Sequence, residues 1–148
     1  MITETLKTLF SRDLEKLKLE IASYNSEEKL WYTEGAITNS AGNLCLHLIG
    51  NLSHFIGAVM GKSGYVRDRP AEFASKDIPK AELIVKIEET ILVVNNTLSN
   101  LVESELDTEY PIVVFDKPMT TAYFLVHLAM HLDYHLGQIN YHRRLLDN

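Results

Sequence analysis

Apolar positions recur at helical spacing in four stretches of the chain. In residues 3–23, Leu6, Phe10, Leu14, Leu17 and Ile21 step by four, four, three and four. That is one face of a 3.6-residue period. Glu4, Arg12, Lys16 and Glu20 suit the solvent face, and Thr3 is a candidate cap. A second helix runs from a cap at Asn39 or Ser40 to about Gly61. It is apolar over most of its circumference, from Leu44 and Cys45 to Val59 and Met60, so neighbours must bury it. A third begins with Pro79 at its first helical position. Its Ile84, Ile87, Ile91, Val94, Leu98 and Leu101 alternate spacings of three and four, a heptad seam. The fourth starts at Thr120 or Thr121 and runs to about Leu146.

The intervening stretches lack this period. Residues 24–39 read as a connection whose Leu30, Trp31 and Tyr32 fold back onto the helices. Residues 61–78, with Gly61, Gly64 and Pro70, read as a loop. Residues 104–120 are acidic and then extended, with β-branched residues between Pro111 and Pro118, an edge strand or hairpin arm. No repeat or second domain interrupts the series. The prediction is an all-α, antiparallel four-helix bundle formed by residues 1–148 as one domain, with a short extended segment before the last helix.

Composition narrows the function classes. The formal net charge of −6 and the lack of a basic run argue against nucleic acid as a partner. The single cysteine, Cys45, has no internal disulfide partner, which points to a reducing compartment. The first residues carry charge where a signal peptide would be apolar, and no stretch of roughly 18 apolar residues suggests a membrane span. A cytoplasmic protein with no membrane partner is expected.

The histidines change the picture most. His127, His131 and His135 recur every four residues on the fourth helix, each about 40° round from the last. Gln138 and His142 return to the same side, which borders the apolar sector of Leu125, Leu128, Leu132 and Ile139. Imidazole suits zinc, copper, iron and nickel, and two histidines four residues apart can reach one ion. His47, in the middle of the apolar second helix, is the candidate third ligand, with Asn51 and His54 on its side of that helix. Spacing permits either His127/His131 or His131/His135 as the pair. Neither pair carries the glutamate of a zincin helix, since the positions hold Leu128 and Leu132. Three protein ligands leave one coordination position open, the pattern of a catalytic zinc. Arg67 and Arg69 on the loop are candidate contacts for an anionic substrate.

Asn43-Leu-Cys-Leu-His47-Leu-Ile-Gly-Asn51-Leu and His131-Leu-Asp-Tyr-His135-Leu-Gly-Gln138-Ile resemble the DinB-like (YfiT-like) superfamily, and Arg67-Asp-Arg69-Pro-Ala-Glu72-Phe73 resembles one of its subgroups. The resemblance implies a four-helix bundle, a homodimer, and a divalent metal held by His47, His131 and His135. It thereby chooses between the pairs that spacing leaves open, and places His127 outside the ligand set as a pocket-lining residue beside Tyr134. Gln138 would orient a ligand through a hydrogen bond. The arginine common before the Gly-Gln pair in that superfamily is Leu136 here. Characterised relatives include thiol S-transferases and a mycothiol-dependent maleylpyruvate isomerase. The expectation is a metal-dependent enzyme, with zinc or nickel foremost, acting on a small-molecule electrophile with a low-molecular-weight thiol. The alternatives are a hydrolase using the metal's water, and a non-enzymatic helical module whose histidines serve an interface.

Overall fold

The computed structural model describes residues 1–148 and is all-helical, with no β-strand. Its helices are α1 (Ile2–Ala22), α2 (Ala41–Leu52), α3 (Arg69–Ala74), α4 (Lys80–Asn100) and α5 (Thr121–Leu146). α2 continues without a break into a π-helical stretch, Ser53–Met60, and single 3₁₀ turns cover Glu27–Trp31 and Glu103–Asp107. α1 packs against α4 and α5, and the α2 segment packs against the same two, so four long segments enclose one core. Leu6, Phe10, Leu14, Leu17 and Ile21 are all buried in it, as the four–four–three–four spacing of α1 requires.

Cross-helix contacts give the chain directions. Lys7 reaches Ser99 and Ser11 meets Asn95, so α1 and α4 run antiparallel. His47 meets His135 and Phe55 meets Phe124, so α2 and α5 do too. Glu20 accepts hydrogen bonds from Asn140 and Arg143 near the C-terminal ends of α1 and α5, so these two run parallel. Gly57 lies beside Val93 and Gly61 beside Thr97, so α2 and α4 are parallel as well. Residues 61–79 must therefore travel back along the molecule, from the far end of the α2 segment to the start of α4. There Lys80 Nζ donates to the carbonyls of Ala22 and Tyr24. This crossover carries α3 past the middle of α2.

Several local expectations are corrected. Residues 61–78 are not wholly loop: Asp68 caps α3 by accepting from the Ala71 amide at 3.1 Å, and Pro70 sits in the first turn, where its missing N–H costs nothing. Six residues are too few to show a period. Thr3 is no cap. α1 begins one residue earlier, and Thr3 Oγ1 donates to Glu103 Oε2 at 2.7 Å. Pro79 occupies the cap of α4 instead of its first helical position. The buried row of α4 is Leu83, Ile87, Thr90, Val94 and Leu98, so Ile84 and Ile91 lie at its margin. The segment before α5 forms no strand, only one antiparallel bridge between Glu109 and Thr120.

The expected cap at Ser40 is present, its Oγ accepting from the Asn43 amide at 3.1 Å. Trp31 lies across the first turn of α2 at Gly42. By length and composition Ala41–Met60 resembles a membrane span, contrary to the sequence reading, but 67% of its most apolar window is buried inside the protein. It is the core helix of this fold.

Candidate metal centre

Half-way along the molecule, α2 presents His47 to α5, which presents His131 and His135 from successive turns. The antiparallel crossing brings their rings together, with centroids 4.5–5.3 Å apart. His47 Nε2 lies 3.1 Å from His131 Nε2, which lies 3.2 Å from His135 Nε2. Three histidine nitrogens thus converge on one point and could hold a metal ion. Nitrogens bound tetrahedrally to zinc at 2.0–2.1 Å are about 3.3 Å apart, close to the spacing found.

The outer nitrogens explain why the inner ones are bare. His47 Nδ1 lies 3.0 Å from Glu72 Oε1. A carboxylate only accepts, so Nδ1 carries the proton and Nε2 the lone pair. His135 Nδ1 is 2.7 Å from Gln138 Oε1, which fixes the same tautomer there. His131 has no such partner, and its buried Nδ1 makes no hydrogen bond. With its proton on Nε2 it can serve one of the two lone pairs facing it and leaves the other unserved. With the proton on Nδ1, three lone pairs face one another. Neither tautomer satisfies the cluster, whereas a divalent cation at the point of convergence satisfies all three nitrogens. The donor set fits such an ion.

Burial favours the neutral form of His47 and His131. Burial, followed by the neighbouring His135 and His47, pushes the His131 pKa down to about 3. Burial also lowers that of His47, outweighing the opposing pull of Glu72. Neutral imidazole is the metal-binding form.

Glu72 is the residue of this cluster to which sequence reasoning gave no role. Arg67 Nε donates to its Oε2 at 2.9 Å and Arg67 Nη2 to its Oε1 at 3.0 Å. The 3.5 Å approach of Arg67 Nη2 to His47 Nδ1 joins two donors that share Oε1, and is no hydrogen bond. Arg67 is thus committed to an internal carboxylate and is not a free clamp for an anionic substrate. Arg69 is exposed, its guanidinium 5.2 Å from the Phe73 ring centre. A signal for Glu72 did exist in Gly50, one turn after His47. A β-carbon there would overlap the Glu72 carboxylate.

The remaining candidates lie around the cluster. His127 is half-buried and stacks on Phe124, with its centroid 6.3 Å from that of His131, outside the converging set. Asn51 is buried, and its Oδ1 has no partner. His54 packs edge-on against Phe55. Tyr134 is exposed, its ring 5.2 Å from that of His135. It helps to line a cavity of about 430 Å³ with Ile37, Thr38, Leu44, His135 and Gln138. No Lys, Arg, Asp or Glu lines this cavity, so it suits an uncharged group. Cys45 is no nucleophile, because complete burial pushes its thiol up to about 12.

Residues 4–148 match the family described as "Protein of unknown function (DUF1572)". The chain belongs to this family. The match spans all five helices and every residue of the centre. The fold is similar to the crystal structure of a conserved protein from Enterococcus faecalis, with a TM-score of 0.77 at 17% identity over 99% of this chain and 97% of that one. At that identity the likeness speaks for the fold alone. No curated protein matches the chain.

Proposed function

We propose that this chain is a metal-dependent enzyme of the DinB-like superfamily, built as a four-helix bundle, with His47, His131 and His135 as its ligands. The observation that carries this reading is the convergence of three Nε2 atoms at 3.1 and 3.2 Å with the outer nitrogens of His47 and His135 already hydrogen-bonded. A divalent ion there, zinc or nickel, would be held by His47, His131 and His135 and would supply Lewis-acid chemistry that lowers the pKa of a small thiol. The chain's own groups divide the remaining work. Glu72 and Gln138 hold protons at the far nitrogens of two ligands. Leu44 and Ile37 exclude water beside His135, and the uncharged cavity there receives the electrophile. The reaction class is thiol transfer to a small electrophile, in keeping with the DinB-like resemblance and a reducing, cytoplasmic setting.

The decisive measurement is elemental analysis of protein purified without chelator, followed by zinc titration. Close to one divalent ion per chain is expected, and His131→Ala should abolish its uptake. An apoprotein whose melting temperature is unmoved by zinc or nickel would sink the reading. Activity on esters or amides without added thiol would assign hydrolysis instead.

The outer face of α5 favours a homodimer as part of the same reading. Tyr123, Val126, Met130, Tyr134, Tyr141 and Leu145 are exposed along one side of it, opposite the core. A helix apolar on two opposite faces is suited to cover on both. Light scattering should give twice the chain mass, and Met130→Glu should halve it.

A further inference from the structure

We infer that Glu72 is a positioning residue for the ligand His47, and that Arg67 and Gly50 exist to keep it in place. The inference rests on the metal-site reading above. Glu72 is 5% exposed, although a buried carboxylate costs several kcal/mol unless it is paired and hydrogen-bonded. Here every part of it is accounted for. Oε2 accepts from Arg67 Nε, and Oε1 accepts from both Arg67 Nη2 and His47 Nδ1. Its backbone is tethered too, since Asn43 Nδ2 donates to the carbonyls of Glu72 and Ser75 at 3.0 and 2.8 Å.

A structural ion pair alone would not require this arrangement. Arg67 and Glu72 lie on the same crossover and could pair at the surface, where no helix need make room for them. Instead the pair is pressed into α2 at Gly50, where a β-carbon would overlap the Glu72 carboxylate that reaches His47 Nδ1. Gly there costs α2 about 1 kcal/mol relative to Ala. In return, Nδ1 of His47 is held protonated and its ring is oriented with Nε2 towards His131. A carboxylate hydrogen-bonded to the far nitrogen of a ligating histidine also raises that ligand's basicity. The bidentate arginine keeps both oxygens occupied, so the carboxylate cannot turn and compete as a ligand itself.

The test is the zinc dissociation constant of the full chain by chelator competition, with the visible spectrum of the cobalt(II)-loaded protein as a second readout. Glu72→Gln keeps the volume but replaces one accepting oxygen with a donating amide that faces Arg67. Gly50→Ala removes no polar group and favours the helix, while its β-carbon displaces the Glu72 carboxylate, so a loss there cannot be put down to unwinding α2. Both variants should remain helical by circular dichroism, bind zinc about 10–100-fold more weakly, and shift the cobalt bands. Zinc affinity and cobalt spectra like those of the unaltered protein in both would overturn the inference and leave the three-histidine reading standing. No zinc binding by the unaltered protein would overturn both.

Discussion

Two imidazoles in the interior of α5 illustrate opposite uses of one side chain. Near the end of the helix, His142 has both nitrogens engaged. Nδ1 accepts from the Tyr24 hydroxyl at 2.7 Å, and Nε2 donates to the Tyr32 carbonyl at 2.8 Å. Three turns earlier, His131 has an unpartnered Nδ1 and an Nε2 crowded by two others. The first pins the connection 23–40 onto the helices. The second leaves a polar deficit that no neighbouring protein group settles. Sequence placed both on one stripe. What separates them is the company each keeps, and buried polar atoms left unpaired are the mark of a site.

This contrast can be broken most severely at its satisfied end. His142→Ala strands the buried Tyr24 hydroxyl and opens a cavity, with an expected loss of about 2–4 kcal/mol in chemical denaturation. Zinc affinity should be unchanged, because His142 donates nothing to the converging set. A parallel fall in zinc affinity would show that the two imidazoles are not independent.

For each pH unit, a smaller effect is expected in acid. In the metal-free protein the folded-state pKa of His131, at about 3, lies below the ordinary value of 6.5. Between those values the unfolded chain binds the extra proton, so stability declines as pH falls from about 6.5 towards 3, at up to about 1.4 kcal/mol per pH unit for this group. His47, also lowered, adds in the same direction. Urea midpoints across this range measure the slope, and His131→Leu should flatten it. The smallest effect should have the opposite sign. Without metal, His131→Leu removes an unsatisfied buried nitrogen and should stabilise the fold by about 1 kcal/mol. A destabilised apo variant would mean that His131 is better satisfied than its contacts indicate.

Much of this was legible in the residues, and the reasons are specific. Leu6 to Ile21 and the cap at Ser40 are local patterns, and local patterns survive folding. His47 was legible as a polar residue on a mostly apolar helix. The chain directions were not legible, because only short connections force neighbours to be antiparallel. Residues 23–40, 61–79 and 101–120 are long enough to reach either end. Arg67 looked like a surface cation, because its partner lies five residues away in a stretch without period. Only the packing of the crossover against Gly50 turns the pair inward.

The crossover has one more consequence, for local opening beside the three histidines. α3 has six residues and cannot hold its own hydrogen bonds in water. Its order is borrowed from α2, through Asn43, His47 and the seat at Gly50. Such a segment opens locally at far lower free energy than the core it rests on. Each opening withdraws Glu72 from His47 while His131 and His135 stay in place on α5. On the metal-site reading, an ion held there would exchange on the clock of this local opening, separate from that of global unfolding. Amide exchange in residues 69–74 is where that clock would be read.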